Sequence, residues 1–112
     1  MHKLIKFPAP ISVPASRKFP AVTITADAMM VTWLEDLKIF GKTLETLELR
    51  REIRQKWEKV EKNGSAIEFE LTKKEHALLS LAARQPTNPY DPHVGDHAIS
   101  MIYAVTDAET RD

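Results

Sequence analysis

Asp91, His93, Asp96 and His97 are the residues whose types and spacing come nearest to chemistry. Imidazole nitrogen and carboxylate oxygen are the donors that zinc and similar divalent ions take. His93 and His97 stand four apart, the spacing that puts two side chains on one helical face. Pro92 and Gly95 break a helix through His93, and no H-E-x-x-H or comparable spacing is present. The plainer expectation is a solvated loop in which Asp91 makes a turn and Asp96 caps a helix. No metal site and no cofactor is assigned.

Other reactive side chains are as scattered. Ser12, Ser16, Ser65, Ser80 and Ser100 lie in no nucleophile-elbow pattern. Glu68 and Glu70 share one face of an alternating segment, about 7 Å apart by strand geometry, and read as a solvated sheet face. Gly41, Gly64 and Gly95 are too far apart in the chain for a phosphate cradle. His76 is expected on the exposed side of its helix, with no role. No enzyme activity is expected. Arg50, Arg51, Arg54, Lys56 and Lys59 suggest a nucleic-acid helix, but Glu48, Glu52, Glu58 and Glu61 are interleaved with them and would repel phosphate.

The elements that must position these side chains belong to one small domain. The chain has 112 residues, 43% of them hydrophobic and 29% charged, ordinary proportions for a globular protein with one core. Cysteine is absent, which excludes disulfides, thiolate chemistry and cysteine-ligated zinc. Lys6, Pro8 and Pro10 break any signal-peptide apolar core, and no segment has the apolar length to cross a bilayer. A cytoplasmic location is expected.

Charge is unevenly distributed. Every charge before Asp27 is positive (Lys3, Lys6, Arg17, Lys18), in a stretch holding Pro8, Pro10, Pro14 and Pro20. The end of the chain reverses the sign, with Asp91, Asp96, Asp107, Glu109 and Asp112 against Arg111. Residues 1–20 therefore read as an extended basic arm, and residues 21–112 as one globular domain with a loop at 86–95 and an acidic tail. Residues 3–7 or 11–13 are expected to form an edge strand, and residues 14–18 a turn.

The fold class predicted is α+β, with three to four helices packed on a small sheet formed by the N-terminal segment and residues 66–71. Ala66 to Leu71 alternates, with Ile67, Phe69 and Leu71 inward, and Val22–Thr25 is its best partner strand. Thr25 or Asp27 caps a helix to Phe40, with Met30, Trp33, Leu34, Leu37 and Phe40 on one stripe. Gly41 stands where a left-handed cap is favoured. Thr43 caps a longer helix to about Lys62, with Leu47, Leu49, Ile53, Trp57 and Val60 as its apolar positions. Glu52–Lys56 and Glu58–Lys62 have the favourable four-residue spacing. Thr72-Lys73-Lys74-Glu75 matches a capping box for a helix to about Arg84. Residues 97–106 fit a helix started by Asp96 better than a strand. Trp33 and Trp57 are expected in the core.

The function expected is a non-enzymatic protein–protein interaction or assembly module. It would be a small structural subunit of a larger cytoplasmic or viral particle. Docking would use the arm, with Phe7, Ile11, Val13 and Phe19 in apolar sockets and Lys3, Lys6, Arg17 and Lys18 on acidic surface. Tyr90, between prolines in the long loop, is a further contact candidate. The partner would be another protein or a second copy, the acidic tail of one copy complementing the arm of the next. A small nucleic-acid-binding regulator is the second reading. No membrane partner is expected.

Overall fold

Three threonines set three of the helix starts. Thr25, in extended conformation, precedes α1 (Ala26–Leu34), and its hydroxyl accepts the Ala28 N–H at 3.1 Å. Thr43 precedes α3 (Leu44–Glu58), where Thr43 and Thr46 exchange hydrogen bonds between backbone N–H and side-chain hydroxyl. Thr72 precedes α4 (Lys73–Arg84): its hydroxyl accepts the Glu75 N–H at 3.3 Å, and Glu75 Oε1 accepts the Thr72 N–H at 2.8 Å. Each pair satisfies N–H groups that the first helical turn leaves without partners. The computed structural model describes residues 2–62, 66–84 and 92–111, with the backbone alone for residues 92–94.

The helix predicted from Ala26 to Phe40 is broken. α1 stops at Leu34, and Asp36 starts α2 (Leu37–Phe40) by accepting the Lys38 N–H at 3.1 Å. A short acidic side chain competes with the helical ladder for backbone donors, which accounts for the break. Phe40 is buried, but Leu37, expected on the same inward stripe, is 63% exposed. Gly41 ends α2 at φ −99°, outside the left-handed region expected of it. A Cβ at Gly41 would meet the Leu37 carbonyl oxygen at 2.7 Å, so its reason is close approach. α3 ends at Glu58, short of the predicted Lys62, whose ammonium caps it by donating to the carbonyls of Trp57 and Val60.

The main sheet has the order β4–β1–β5, antiparallel throughout, with β1 His2–Phe7, β4 Ile67–Thr72 and β5 Glu109–Arg111. β1 pairs with β4 along its whole length, from His2 opposite Thr72 to Phe7 opposite Ile67. That makes the N-terminal segment and residues 66–71 one sheet, as expected, but β1 is its middle strand and not an edge. β2 (Ile11–Val13) and β3 (Val22–Ile24) pair with each other as a separate hairpin. β4 thus takes β1 as its partner, where Val22–Thr25 was expected. Pro8 ends β1, since proline offers no N–H to a ladder.

α5 runs from Pro92 to Thr106 and confirms a helix over residues 97–106. It begins earlier than predicted: Pro92 and Gly95 lie within it, so its last predicted loop residues are helical. Proline is favoured at the first helical position, where its missing N–H has no partner to lose. Asp96 is consequently a residue of the helix and not its cap.

The core collects apolar residues from every element except β5, whose residues are exposed, among them Ile5, Phe7, Met30, Trp33, Phe40, Ile53, Phe69, Leu79 and Met101. Phe7 lies at its centre. Its ring stacks at 6.3 Å from Trp33 and meets Trp57 edge-on at 5.7 Å, while Trp57 meets Phe69 edge-on at 5.2 Å. Both tryptophans are core residues, as their stripes predict, at 1% and 4% exposure. Among the described residues the fold is α+β with five helices, one more than the sequence suggested, because α2 stands apart from α1.

Candidate interaction site

The predicted arm divides into two parts with opposite fates. Residues 2–7 are inside the fold. Phe7 is fully buried in this chain's own core, and Val13 is 1% exposed. Neither is available for a socket on a partner, which corrects their assignment as docking residues. Lys3 donates to the Thr110 hydroxyl at 2.6 Å, and Lys6 sits 3.5 Å from Glu109. Basic start and acidic end therefore meet within one chain, where the sequence suggested a meeting between copies. His2 lies 3.8 Å from Glu70 on the neighbouring strand. The sign asymmetry along the chain is in good part the cross-strand pairing of β1 with β4 and β5.

The second part stays outside. Every residue from Pro14 to Thr23 is exposed. These residues form the loop of the β2–β3 hairpin and the outer part of β3. Val13 and Ile24 anchor the hairpin in the core, and Ile11 is half-buried against it. At the tip, the Ser16 N–H donates to the Phe19 carbonyl at 2.9 Å, turning the chain so that Arg17, Lys18 and Phe19 share one bend. Phe19 is 40% exposed, and the flanks of the loop line a shallow groove with Ser12, Pro14, Ala21 and Val22. Two cations, one aromatic ring and an apolar groove are suited to an acidic protein surface carrying an apolar socket. Of the candidate contact residues, Arg17, Lys18 and Phe19 are brought together here. Tyr90 lies outside the described residues.

Two basic residues of α3, Arg50 and Lys56, and Lys62 just beyond it make contacts within the chain. Arg50 donates to the Leu34 carbonyl, capping α1. Lys56 reaches Glu75 at 2.6 Å, joining α3 to α4. Lys62 covers the Trp57 ring at 4.7 Å, and the Trp57 indole N–H donates to Asp27 at 2.7 Å. The Glu52–Lys56 and Glu58–Lys62 spacings predict helix-surface pairs, but Lys56 reaches across to Glu75 of α4 and Lys62 folds back on the end of α3.

Glu75 is the one charged side chain fully buried among the described residues. Burial pushes its carboxyl up, but the Lys56 hydrogen bond, the Thr72 N–H and the Lys56 charge outweigh it and hold it below its ordinary value. Its Oε2 atom has no hydrogen-bond partner. The sequence identified Glu75 as a capping residue and gave no sign that it is interior. His76 was expected to be exposed and idle. It is half-buried, and its Nε2–H donates to the Val105 carbonyl at 2.7 Å, tying α4 to the end of α5. A histidine on a helix flank carries no sequence signal for a backbone acceptor some thirty residues away.

Asp96 is exposed on α5 and His97 half-buried. Asp91 and the His93 side chain lie outside the described residues, so the metal constellation is not assembled by what is described. Among the described residues no group of three His, Asp or Glu side chains converges as a metal site, and no helix is long and apolar enough to cross a membrane. Comparison with known proteins adds no relative: no family model, no curated protein and no solved structure matches the chain.

Proposed function

We propose that this protein is a non-enzymatic interaction and assembly module, a small subunit that docks on a protein partner through the β2–β3 hairpin. The contact is the loop around Arg17, Lys18 and Phe19, with the ring in an apolar socket and the cations on acidic surface. One observation supports the reading: residues 14–23 form a continuous exposed segment held out from the core by buried anchors at both ends. A loop that only connects two three-residue strands needs a few polar turn residues. This one is longer and carries an aromatic ring and two cations without an acid among them.

The test compares wild-type protein with an Arg17→Glu, Lys18→Glu, Phe19→Ala variant as bait in lysate from the source cells. A stoichiometric protein partner retained by wild type and lost by the variant, with both baits melting at the same temperature, supports the reading. Equal recovery of the same partners by both baits, or none by either, refutes it.

A further inference from the structure

The main sheet has two outer edges, and their charges differ in what they permit. In the described structure neither the outer side of β4 nor that of β5 is paired with another strand. An open edge is a template for another strand unless something blocks it. The simplest addition is a second copy, antiparallel about a twofold axis perpendicular to the sheet. That symmetry keeps each residue on its own face, so one residue must stand opposite its own copy with the axis midway between the two, and that residue names the axis.

For β4 the axis passing through Glu68, Phe69 or Glu70 sets two glutamates directly opposite each other every time. Through Phe69, Glu68 faces Glu70 of the other copy; through either glutamate, that residue faces itself. Both carboxylates are on the solvent face, opposite Lys6 and Leu4 of β1. Like charges directly opposite destabilise a pair, and β4 is closed to its own kind.

For β5 the result is reversed. An axis through Thr110 sets Glu109 opposite Arg111 of the other copy, and symmetry repeats the pair. Glu109 and Arg111 are alternate residues on one face, both exposed, and Glu109 already has Lys6 at 3.5 Å on its other side. Thr110 is on the opposite face, held by Lys3. The flank beside β5 adds a groove of mixed character: Tyr103, 59% exposed on α5, lines it with Leu4, Ala104 and Ala108 and with the charged Lys6, Asp107 and Glu109, and Ile99 is exposed one turn before it.

We infer that β5 is a homodimer edge, where two copies pair antiparallel about Thr110 into one six-stranded sheet and cover the Tyr103 groove. This surface is separate from the hairpin, and its occupant is the chain itself.

Sedimentation velocity across a concentration series tests it. Wild type is expected to move from monomer to dimer. Arg111→Glu, which sets two glutamates opposite each other twice, is expected to weaken the dimer about tenfold or more, given the size of cross-strand charge effects doubled by symmetry. The charge-swapped double variant Glu109→Arg, Arg111→Glu should restore most of the affinity. The hairpin variant should dimerise like wild type, so failure here and failure of the hairpin proposal are told apart. Should a variant fold poorly, amide exchange on wild type gives an independent reading: protection at residues 109–111 should rise with protein concentration. A wild type that stays monomeric at all concentrations, as it would if a foreign peptide were the natural occupant, overturns the inference. So does a dimer indifferent to Arg111→Glu, or exchange at 109–111 that is independent of concentration.

Discussion

Replacing Lys56 with methionine leaves a carboxylate in the protein interior with its cation removed. Glu75 has no exposed surface, while the Lys56 side chain is 42% exposed, so the pair stands at the boundary between core and water. A hydrogen bond to a charged group contributes roughly 1.5–3 kcal/mol, and the exposure of Lys56 places this one at the lower end. Lys56→Met should therefore lower stability by about 2 kcal/mol at neutral pH, a loss limited by the option of Glu75 taking up a proton. Methionine keeps the length and helix preference of the side chain, so the change isolates the charge.

The pH dependence gives the sharper result. In wild type the Glu75 carboxyl is held below its unfolded value, so its contribution is complete above that unfolded value. It is lost as pH falls through the lower folded value. In Lys56→Met the burial of Glu75 is opposed by Thr72 alone, the carboxyl is pushed up, and the variant gains relative stability on acidification. Both movements narrow the gap between the two proteins. A deficit of about 2 kcal/mol at pH 7 should fall below about 1 kcal/mol near pH 4, where model carboxylates titrate. Urea denaturation followed by the fluorescence of the buried Trp33 and Trp57 measures both. Adding Glu75→Gln to Lys56→Met should restore part of the loss at pH 7, since the lone buried charge is then gone. A deficit equal at pH 7 and pH 4, with no recovery in the double variant, would falsify the assignment of Glu75 as a buried carboxylate sustained by Lys56.

Two further substitutions probe the fold. Phe7→Ala should cost about 3–5 kcal/mol, as for a large aromatic removed from a core; a stability within 1 kcal/mol of wild type in the same urea assay would return β1 to the status of a detachable arm. Gly41→Ala sets a methyl 2.7 Å from the Leu37 carbonyl oxygen and should lower the melting temperature, at a cost of about 1–2 kcal/mol; an unchanged or higher temperature would show that α2 ends with more room than the backbone leaves.

Local signals in this chain were legible where one short segment decides the outcome. The threonine caps at Thr25, Thr43 and Thr72 and the alternation of Ile67, Phe69 and Leu71 each depend on residues within a turn or a pleat of one another, and each is found in place. What was missed depends on partners far away in the chain. All-positive charge and four prolines make residues 1–20 read as an arm with at most an edge strand, and Lys-Leu-Ile-Lys-Phe lacks the alternation that would mark one buried face: Leu4 and Ile5 are neighbours and both are buried. Adjacent strand residues point to opposite faces, so both can be covered only in a strand with packing on each side. Here Ile5 faces the core, and Leu4, on the opposite face, borders the groove that Tyr103, Ala104 and Ala108 line beside the last strand. The same distance hid the role of the charges. Lys3 and Lys6 looked like a surface-seeking cluster, yet their neighbours on β5 come from the opposite end of the sequence. A basic, proline-marked beginning and an acidic end thus had two readings, a contact between copies or a contact within one, and only the register of β1 against β5 separates them. Once that register is set, the part of the arm still open to a partner reduces to the hairpin beyond Pro10, where Arg17, Lys18 and Phe19 remain in reach of a second surface.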